Sequence, residues 1–200
     1  MGPSGGGKTS LLTALAGGSR DGRSASQLKV SGTLKLNGEP HELGSLVSER
    51  LASYVTQEDC LQPALTVHET LLFGAELQLP ASPQVAREIR VGEVMRDLRL
   101  QHRADSRVST LSGGERRRLS IGCDGMLHAP LLMFLDEPTS GLSSTDALDV
   151  CTCLHTLADE SNFTIIMTIH QPAIEVRQNT RNHQHHNLIP EDTPDRLLVF

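Results

Sequence analysis

A doubly wound α/β domain is the fold this sequence predicts, and three segments carry the prediction. Leu131-Leu132-Met133-Phe134-Leu135 is an uninterrupted apolar run ending in Asp136-Glu137, the pattern of a strand buried on both faces of a parallel sheet. Phe163 to Ile169 is a second such run, and Ser144 to Glu160 between them reads as the crossover helix of a right-handed strand-helix-strand unit. A chain of 200 residues that is 38% hydrophobic can bury one sizeable core, so a single domain spanning 1–200 is expected.

The first element along the chain is a loop. Gly2-Pro3-Ser4-Gly5-Gly6-Gly7-Lys8-Thr9 has the G-x-x-x-x-G-K-T spacing of a turn built to hold nucleotide phosphates. Its glycines let successive N–H groups point inward, Lys8 can reach the outer phosphates, and the Thr9 hydroxyl can ligate Mg²⁺. Gly2, Ser4, Gly5, Gly6, Gly7, Lys8, Thr9 and Ser10 are therefore the candidate phosphate contacts. Ser10 to Ala16 reads as a helix whose N-terminal dipole favours the anion, with Leu11, Leu12 and Leu15 as its buried face.

Leu28 to Asn37 alternates and closes at Asn37-Gly38, which predicts an antiparallel β part over 28–60. Thr66-Val67-His68-Glu69 is a capping-box pattern, followed at helical spacing by Leu71, Leu72, Ala75 and Leu79 before Pro80 stops the helix. Val85, Ile89, Met95 and Leu98 keep the helical period over Pro83 to Leu100, so 66–128 is expected as a helical subdomain. Arg177 to Pro194 is polar and rich in Asn, Gln and His, and 177–194 is expected as an exposed insertion loop. His183, His185 and His186 lie in it without the fixed ligand geometry of a metal site.

Composition narrows the function classes. The net charge is −6 and no basic stretch is interleaved with aromatics, so no nucleic-acid partner is expected. Cys60, Cys123, Cys151 and Cys153 show neither C-x-x-C spacing nor a secretory context, so reduced cysteines of a cytosolic setting are expected, not a zinc site. No apolar run approaches the ~18 residues needed to cross a bilayer, so the chain itself is expected to lack a transmembrane segment.

Hydrolysing a nucleoside triphosphate needs more than a phosphate cradle: it needs a carboxylate near Mg²⁺ and a group that positions water. Asp136, at the end of the apolar strand, would sit beside the cradle, because ligands in such sheets bind off the carboxyl ends of the strands. It is the candidate metal carboxylate. Glu137 follows it and points differently, which suits a catalytic residue that polarises the attacking water.

Leu111-Ser112-Gly113-Gly114-Glu115 resembles the signature sequence of ATP-binding cassette (ABC) proteins. Gln57 in Tyr54-Val55-Thr56-Gln57-Glu58-Asp59 is similar to the family's Q-loop glutamine, and His170 in Thr168-Ile169-His170-Gln171-Pro172 to its switch histidine. The resemblance runs in order from Gly2 to about Pro172 and again over Asp195 to Phe200. Gly114 to Gly122, Leu65 to Leu71 and Ile169-His170-Gln171-Pro172 resemble stretches of the G subfamily of half-transporters.

The resemblance implies a P-loop NTPase of mainly parallel sheet with flanking helices, a small antiparallel β subdomain, and a helical insert carrying the signature. It also implies ATP and Mg²⁺ as ligands, with Thr9, Gln57 and Asp136 at the metal, Glu137 and His170 in catalysis, and Ser112, Gly113 and Gly114 on the γ-phosphate of a partner domain's ATP. The implied partners are a second ABC ATPase domain and a transmembrane domain encoded in a further, C-terminal part of the same gene. The implied activity is ATP hydrolysis at the cytosolic face of a membrane, powering export of lipid, sterol or drug-like substrates. A soluble, non-transport cassette ATPase and a truncated nucleotide-binding module without turnover stay open beside it.

Four departures qualify the resemblance. Family members carry a strand before the phosphate loop and an adenine-stacking aromatic upstream of it, whereas Met1 directly precedes Gly2 here, so a truncated chain is expected. Ser143 in Ser140-Gly141-Leu142-Ser143 stands where the family has an aspartate, which puts cooperativity between two sites in doubt. The 177–194 stretch delays the next strand, as an insertion or a gene-model artefact would, and the family's transmembrane helices are not in the sequence. Arg116-Arg117-Arg118 is expected as the solvated face of the helix after the signature.

Overall fold

The computed structural model describes residues 7–16, 32–36, 38–42, 45–160, 164–169 and 197–199. Two sheets and five α-helices are built from them. Helix α1 is Lys8–Ala16, followed by the short strands β1, Leu34–Leu36, and β2, Glu39–His41. Strand β3, Ala52–Val55, precedes helices α2, Val67–Gln78, α3, Gln84–Asp97, and α4, Gly113–Ile121. Strand β4, Leu132–Leu135, helix α5, Ser144–Glu160, and strands β5, Thr164–Met167, and β6, Leu197–Val199, complete the order.

The main sheet is entirely parallel in the order β3-β4-β5-β6, with Tyr54 beside Phe134, Phe134 beside Ile166 and Ile166 beside Leu198. Side chains alternate across it, as the pleat requires. Ala52, Tyr54, Leu132 and Phe134 join Leu12 and Ala16 of α1 and Leu46 in one core. Val55, Met133, Leu135, Ile165 and Met167 point the other way, into a larger core with α2, α3, α4 and α5. Burial on both faces is why β4 reads as a continuous apolar run rather than an alternating one.

β1 and β2 form a separate antiparallel pair, with Gly38 at the turn in a left-handed conformation, φ +88°, that only glycine adopts without strain. The antiparallel part predicted over 28–60 is accordingly divided. Ala52–Val55 lies in the parallel sheet, because its buried pattern on both faces matches β4 and not an exposed ribbon. Residues 28–31 and the 177–194 stretch lie outside the described residues.

Two helices face differently from their predicted stripes. In α1, Leu12 and Ala16 are buried while Leu11 is 50% exposed. In α3, Val91, Val94 and Met95 are buried, with Leu98 at its end, whereas Val85 and Ile89 are exposed among the described residues. Apolar spacing fixes a helix face but not the length over which a neighbour covers it.

α2 begins at the predicted capping box: the Thr66 hydroxyl accepts from Glu69 N–H at 3.2 Å and the Glu69 carboxylate accepts from Thr66 N–H at 2.8 Å. A π-helical turn, Gly122–Met126, extends α4 into the centre of the helical layer. Glycine is needed at 122 for space: a Cβ there would lie 2.7 Å from Leu98 Cδ1, 3.0 Å from Val94 Cγ1 and 3.2 Å from Leu71 Cδ2.

Candidate functional site

Asp136 is the residue on which the site converges. It continues β4 by one residue, its N–H bonding Val55 O at 3.0 Å, so the end of the parallel ladder fixes its place. Its carboxylate is 6% exposed and accepts from three hydroxyls: Thr168 Oγ1 at 2.7 Å and Thr9 Oγ1 at 3.1 Å on Oδ1, and Tyr54 OH at 3.3 Å on Oδ2. Burying an ionised carboxylate is tolerable when its lone pairs are met in this way.

Each donor is placed by an element already described. Thr9 is the second residue of α1, whose first turn is entered through Gly7 at φ +78°, another left-handed position suited to glycine, and closed by Leu11 N–H on Gly7 O at 2.9 Å. Tyr54 is in β3, and Thr168 stands just past β5, where its N–H bonds Leu135 O at 3.0 Å. A helix start and the ends of adjacent parallel strands thus meet in one corner, as doubly wound sheets favour.

Glu137 leaves the strand with φ +44°, a left-handed conformation that costs a non-glycine residue on the order of 1 kcal/mol. Thr168 Oγ1, which donates to Asp136, also accepts from Glu137 N–H at 2.9 Å. One hydroxyl therefore holds both the Asp136 carboxylate and the Glu137 backbone. Thr168 and Tyr54 were not singled out from the sequence; the signal was their place at strand ends beside named motif residues.

Gln57 lies past the end of β3. Its Nε2 donates to Ser140 Oγ at 2.9 Å and its carbonyl accepts from Arg117 Nη1 at 2.9 Å. The structure thereby joins Gln57 to the loop after Glu137, and not directly to Thr9 or Asp136.

Ser112 caps α4: its Oγ accepts from Glu115 N–H at 3.1 Å, and the Glu115 carboxylate accepts from Ser112 N–H at 2.9 Å and from Arg103 Nε at 2.8 Å. Burial works against the Glu115 carboxylate, but Arg103 and the Ser112 N–H outweigh it and hold its pKa below the usual value. Asp146, in the first turn of α5, accepts from Ser112 Oγ at 3.4 Å and from Ser143 Oγ at 2.9 Å. A Cβ on Gly114 would approach Asp146 Oδ1 to 2.8 Å, so glycine there lets α5 abut the start of α4. Ser112, Gly113 and Gly114 thus cluster with Asp146, not with the Thr9–Asp136 corner of the same chain.

The arginine triplet departs from its predicted solvation. Arg116 is exposed, but Arg117 is 5% exposed, with Nε on Pro138 O at 3.1 Å, Nη1 on Gln57 O and Nη2 on Asp136 O at 3.4 Å. A guanidinium can be buried where a ring of carbonyls takes its fork of N–H groups. Gly2, Ser4, Gly5, Gly6 and His170 lie outside the described residues. Among the described residues no group of three or more His, Cys, Asp and Glu side chains could hold a metal by itself, and no helix is long and apolar enough to cross a membrane.

A glycine-entered helix bearing Lys8 and Thr9, set against an acidic residue at the end of a buried parallel strand, defines a P-loop NTPase. Comparison with known proteins narrows the class. The family model described as ABC transporter matches residues 1–140. ABC transporter G family member 22 of Dictyostelium discoideum is 42% identical over 187 residues, covering 88% of this chain and 29% of that protein. ABC transporter G family member 1 of Arabidopsis thaliana is 43% identical over 182 residues, covering 88% and 23%. Dictyostelium member 8 is 44% identical over 188 residues, covering 89% and 28%. The chain belongs to the ABC transporter family, as a nucleotide-binding domain of subfamily G. It spans about a quarter of the length of the relatives it matches.

Proposed function

We propose that this chain binds and hydrolyses ATP as the motor domain of a transporter that exports lipid, sterol or drug-like molecules. The observation that carries the reading is the Thr9–Asp136 contact, which puts the phosphate-loop hydroxyl and the strand-end carboxylate 3.1 Å apart although they are 127 residues apart in sequence. A hydroxyl and one carboxylate are the small donor set that Mg²⁺ takes from a protein when phosphates and water complete its shell. Thr9 and Asp136 would hold that ion, with Gln57 as a further oxygen ligand once its amide leaves Ser140; bound there, it would neutralise charge on the phosphate oxygens.

The rest of the chemistry falls to the chain. Lys8 draws the outer phosphates, the α1 N-terminus supplies N–H groups to them, and Glu137 accepts a hydrogen bond from the attacking water. His170 holds the γ-phosphate. Ser112, Gly113 and Gly114, at the N-terminus of α4, serve the nucleotide of a second ATPase domain, in keeping with their clustering beside Asp146 rather than at the Thr9–Asp136 corner. Loss of the γ-phosphate releases the pair, and a transmembrane partner at the cytosolic face of the membrane follows that cycle.

The test pairs binding with turnover. Lys8→Ala should weaken binding of a fluorescent ATP analogue at least tenfold, and Glu137→Gln should abolish Mg-ATP hydrolysis while leaving that affinity within about threefold. Undiminished hydrolysis in Glu137→Gln, or unchanged binding in Lys8→Ala, refutes the reading.

A further inference from the structure

Arg117 is an unusual residue to find buried, because its guanidinium bonds three backbone carbonyls, none of them in its own helix. Nε bonds Pro138 O, Nη1 bonds Gln57 O and Nη2 bonds Asp136 O, at 3.1, 2.9 and 3.4 Å. Those carbonyls lie on two segments: the loop after β3 that carries Gln57, and the Asp136–Pro138 turn that carries Glu137 between two of the acceptors. Gln57 is tied to the second segment a second time, through Nε2 on Ser140 Oγ at 2.9 Å. Arg117 itself is four residues, about one helical turn, after Gly113 on α4.

We propose that Arg117 is a positioning residue that locks the signature helix α4, the Gln57 loop and the Glu137 turn into one moving unit. Phosphate seated on Ser112, Gly113 and Gly114 is thereby felt as an alignment of Glu137. The proposal rests on the ATPase reading above and adds to it a route between the signature and the catalytic carboxylate of the same chain.

The geometry favours this over a plain structural role. A hydrophobic side chain would fill the same space without desolvating a charge, and burial lowers the Arg117 pKa, against which Asp59, Asp124 and Asp136 supply opposing charge. A guanidinium fork is the one side chain that can donate in three directions from a fixed plane, so it fixes the relative placement of two loops as well as their distance from α4. A lysine would bring its charge to the same place as a single point and could not hold both ends of the Asp136–Pro138 turn.

Arg117→Lys and Arg117→Met test this, with the exposed Arg116→Ala as control. In Mg-ATP hydrolysis, both Arg117 variants should lower kcat at least tenfold while KM for ATP stays within about threefold, Lys less severely than Met; Arg116→Ala should match the wild type. Amide hydrogen exchange should accelerate at least tenfold in 57–60 and 138–142 in both variants, with β4 and β5 unchanged. Exchange that rises uniformly would assign Arg117 to general stability, and unchanged exchange or unchanged kcat would overturn the proposal outright. Where Arg117→Met fails to fold, Arg117→Lys carries the test. The two readings fail separately: a wild-type chain that binds no ATP analogue removes the ATPase reading, while the exchange pattern still decides whether Arg117 ties the two loops.

Discussion

At the scale of single residues, Thr168 concentrates the most consequence in the fewest atoms. Its hydroxyl donates to Asp136 and accepts from Glu137 N–H, so the strained φ of Glu137 depends on a side chain rather than on a strand. Thr168→Val keeps the volume and removes both bonds. It should lower kcat for ATP hydrolysis about tenfold or more with little change in nucleotide affinity, and lower stability by about 1–3 kcal/mol for the orphaned N–H, measured by urea denaturation. An equal loss of affinity and kcat would place Thr168 at the nucleotide instead. Thiols give a second residue-scale test. Burial pushes Cys123 up to about 12 and Cys151 up to about 11, whereas Cys60 is exposed. At pH 8 a maleimide should therefore label Cys60 first and reach Cys123 and Cys151 only on unfolding, as read by mass spectrometry.

What the sequence made legible at this scale was chemistry with a motif attached. Lys8, Thr9, Asp136 and Glu137 could be named because they stand in sequence patterns that suit phosphate and metal binding. Arg117 and Thr168 could not, since their roles depend on which backbone groups a distant turn leaves unpaired, and nothing in local spacing encodes that. A solvated face was the natural reading of three adjacent arginines, yet one of them points inward, because a helix turns 100° per residue and cannot expose all three.

At the scale of elements, α2 and α4 share one device. Each starts at a hydroxyl cap with a glutamate three residues on, and both glutamates are held below their usual pKa. For Glu69 the main cause is the Thr66 N–H; for Glu115, burial opposes and the Arg103 and Ser112 hydrogen bonds prevail. A carboxylate depressed in the folded state contributes stability above its unfolded pKa, about 4.3, and loses it as pH falls through the lower folded value. Glu115→Gln should accordingly be less stable than wild type at pH 7, and the gap in urea midpoint should close below about pH 4. A constant gap down to pH 3 would remove charge from the explanation.

Glycines separate packing from propensity at the same scale. Gly122→Ala drives a Cβ to 2.7 Å from Leu98 Cδ1 in a fully buried layer and should cost about 1–3 kcal/mol in thermal or urea denaturation. Gly92→Ala, within α3 and with nothing inside 4 Å of its Cβ, should instead gain up to about 1 kcal/mol. Capping boxes and apolar runs announced α2, β4 and α5, whose signals are local. The outer turns of α3 misled because Val85 and Ile89 satisfy the periodicity while no neighbour among the described residues covers them.

At the scale of the whole molecule, the two halves of the proposed enclosure are separate clusters within one chain: Thr9 bonds Asp136 in one, and Ser112 bonds Asp146 in the other. On the proposed reading, two copies together complete one closed site. Glu137→Gln, by trapping ATP, should shift the chain toward dimer in analytical ultracentrifugation with Mg-ATP, and Ser112→Arg should return it to monomer; monomer under both conditions would count against a paired motor. Ser143 bears on the same step, since its Oγ already donates to Asp146 Oδ2 at 2.9 Å, so an aspartate at 143 would oppose a second carboxylate rather than simply restore a contact.

The fold class was readable because parallel strands buried on both faces have a composition of their own; the division of 28–60 between two sheets was not, because Ala52–Val55 is short and its partner β4 lies some eighty residues on. That separation governs synthesis as well. Asp136 draws its hydroxyl partners from 127 residues before it, 82 before it and 32 after it, so a nascent chain on the ribosome carries the glycine loop long before the carboxylate has its surroundings. Until Thr168 has emerged, the corner that would grip a triphosphate lacks its last hydroxyl, and the growing polypeptide carries its glycine loop without a finished grip on the cell's abundant ATP.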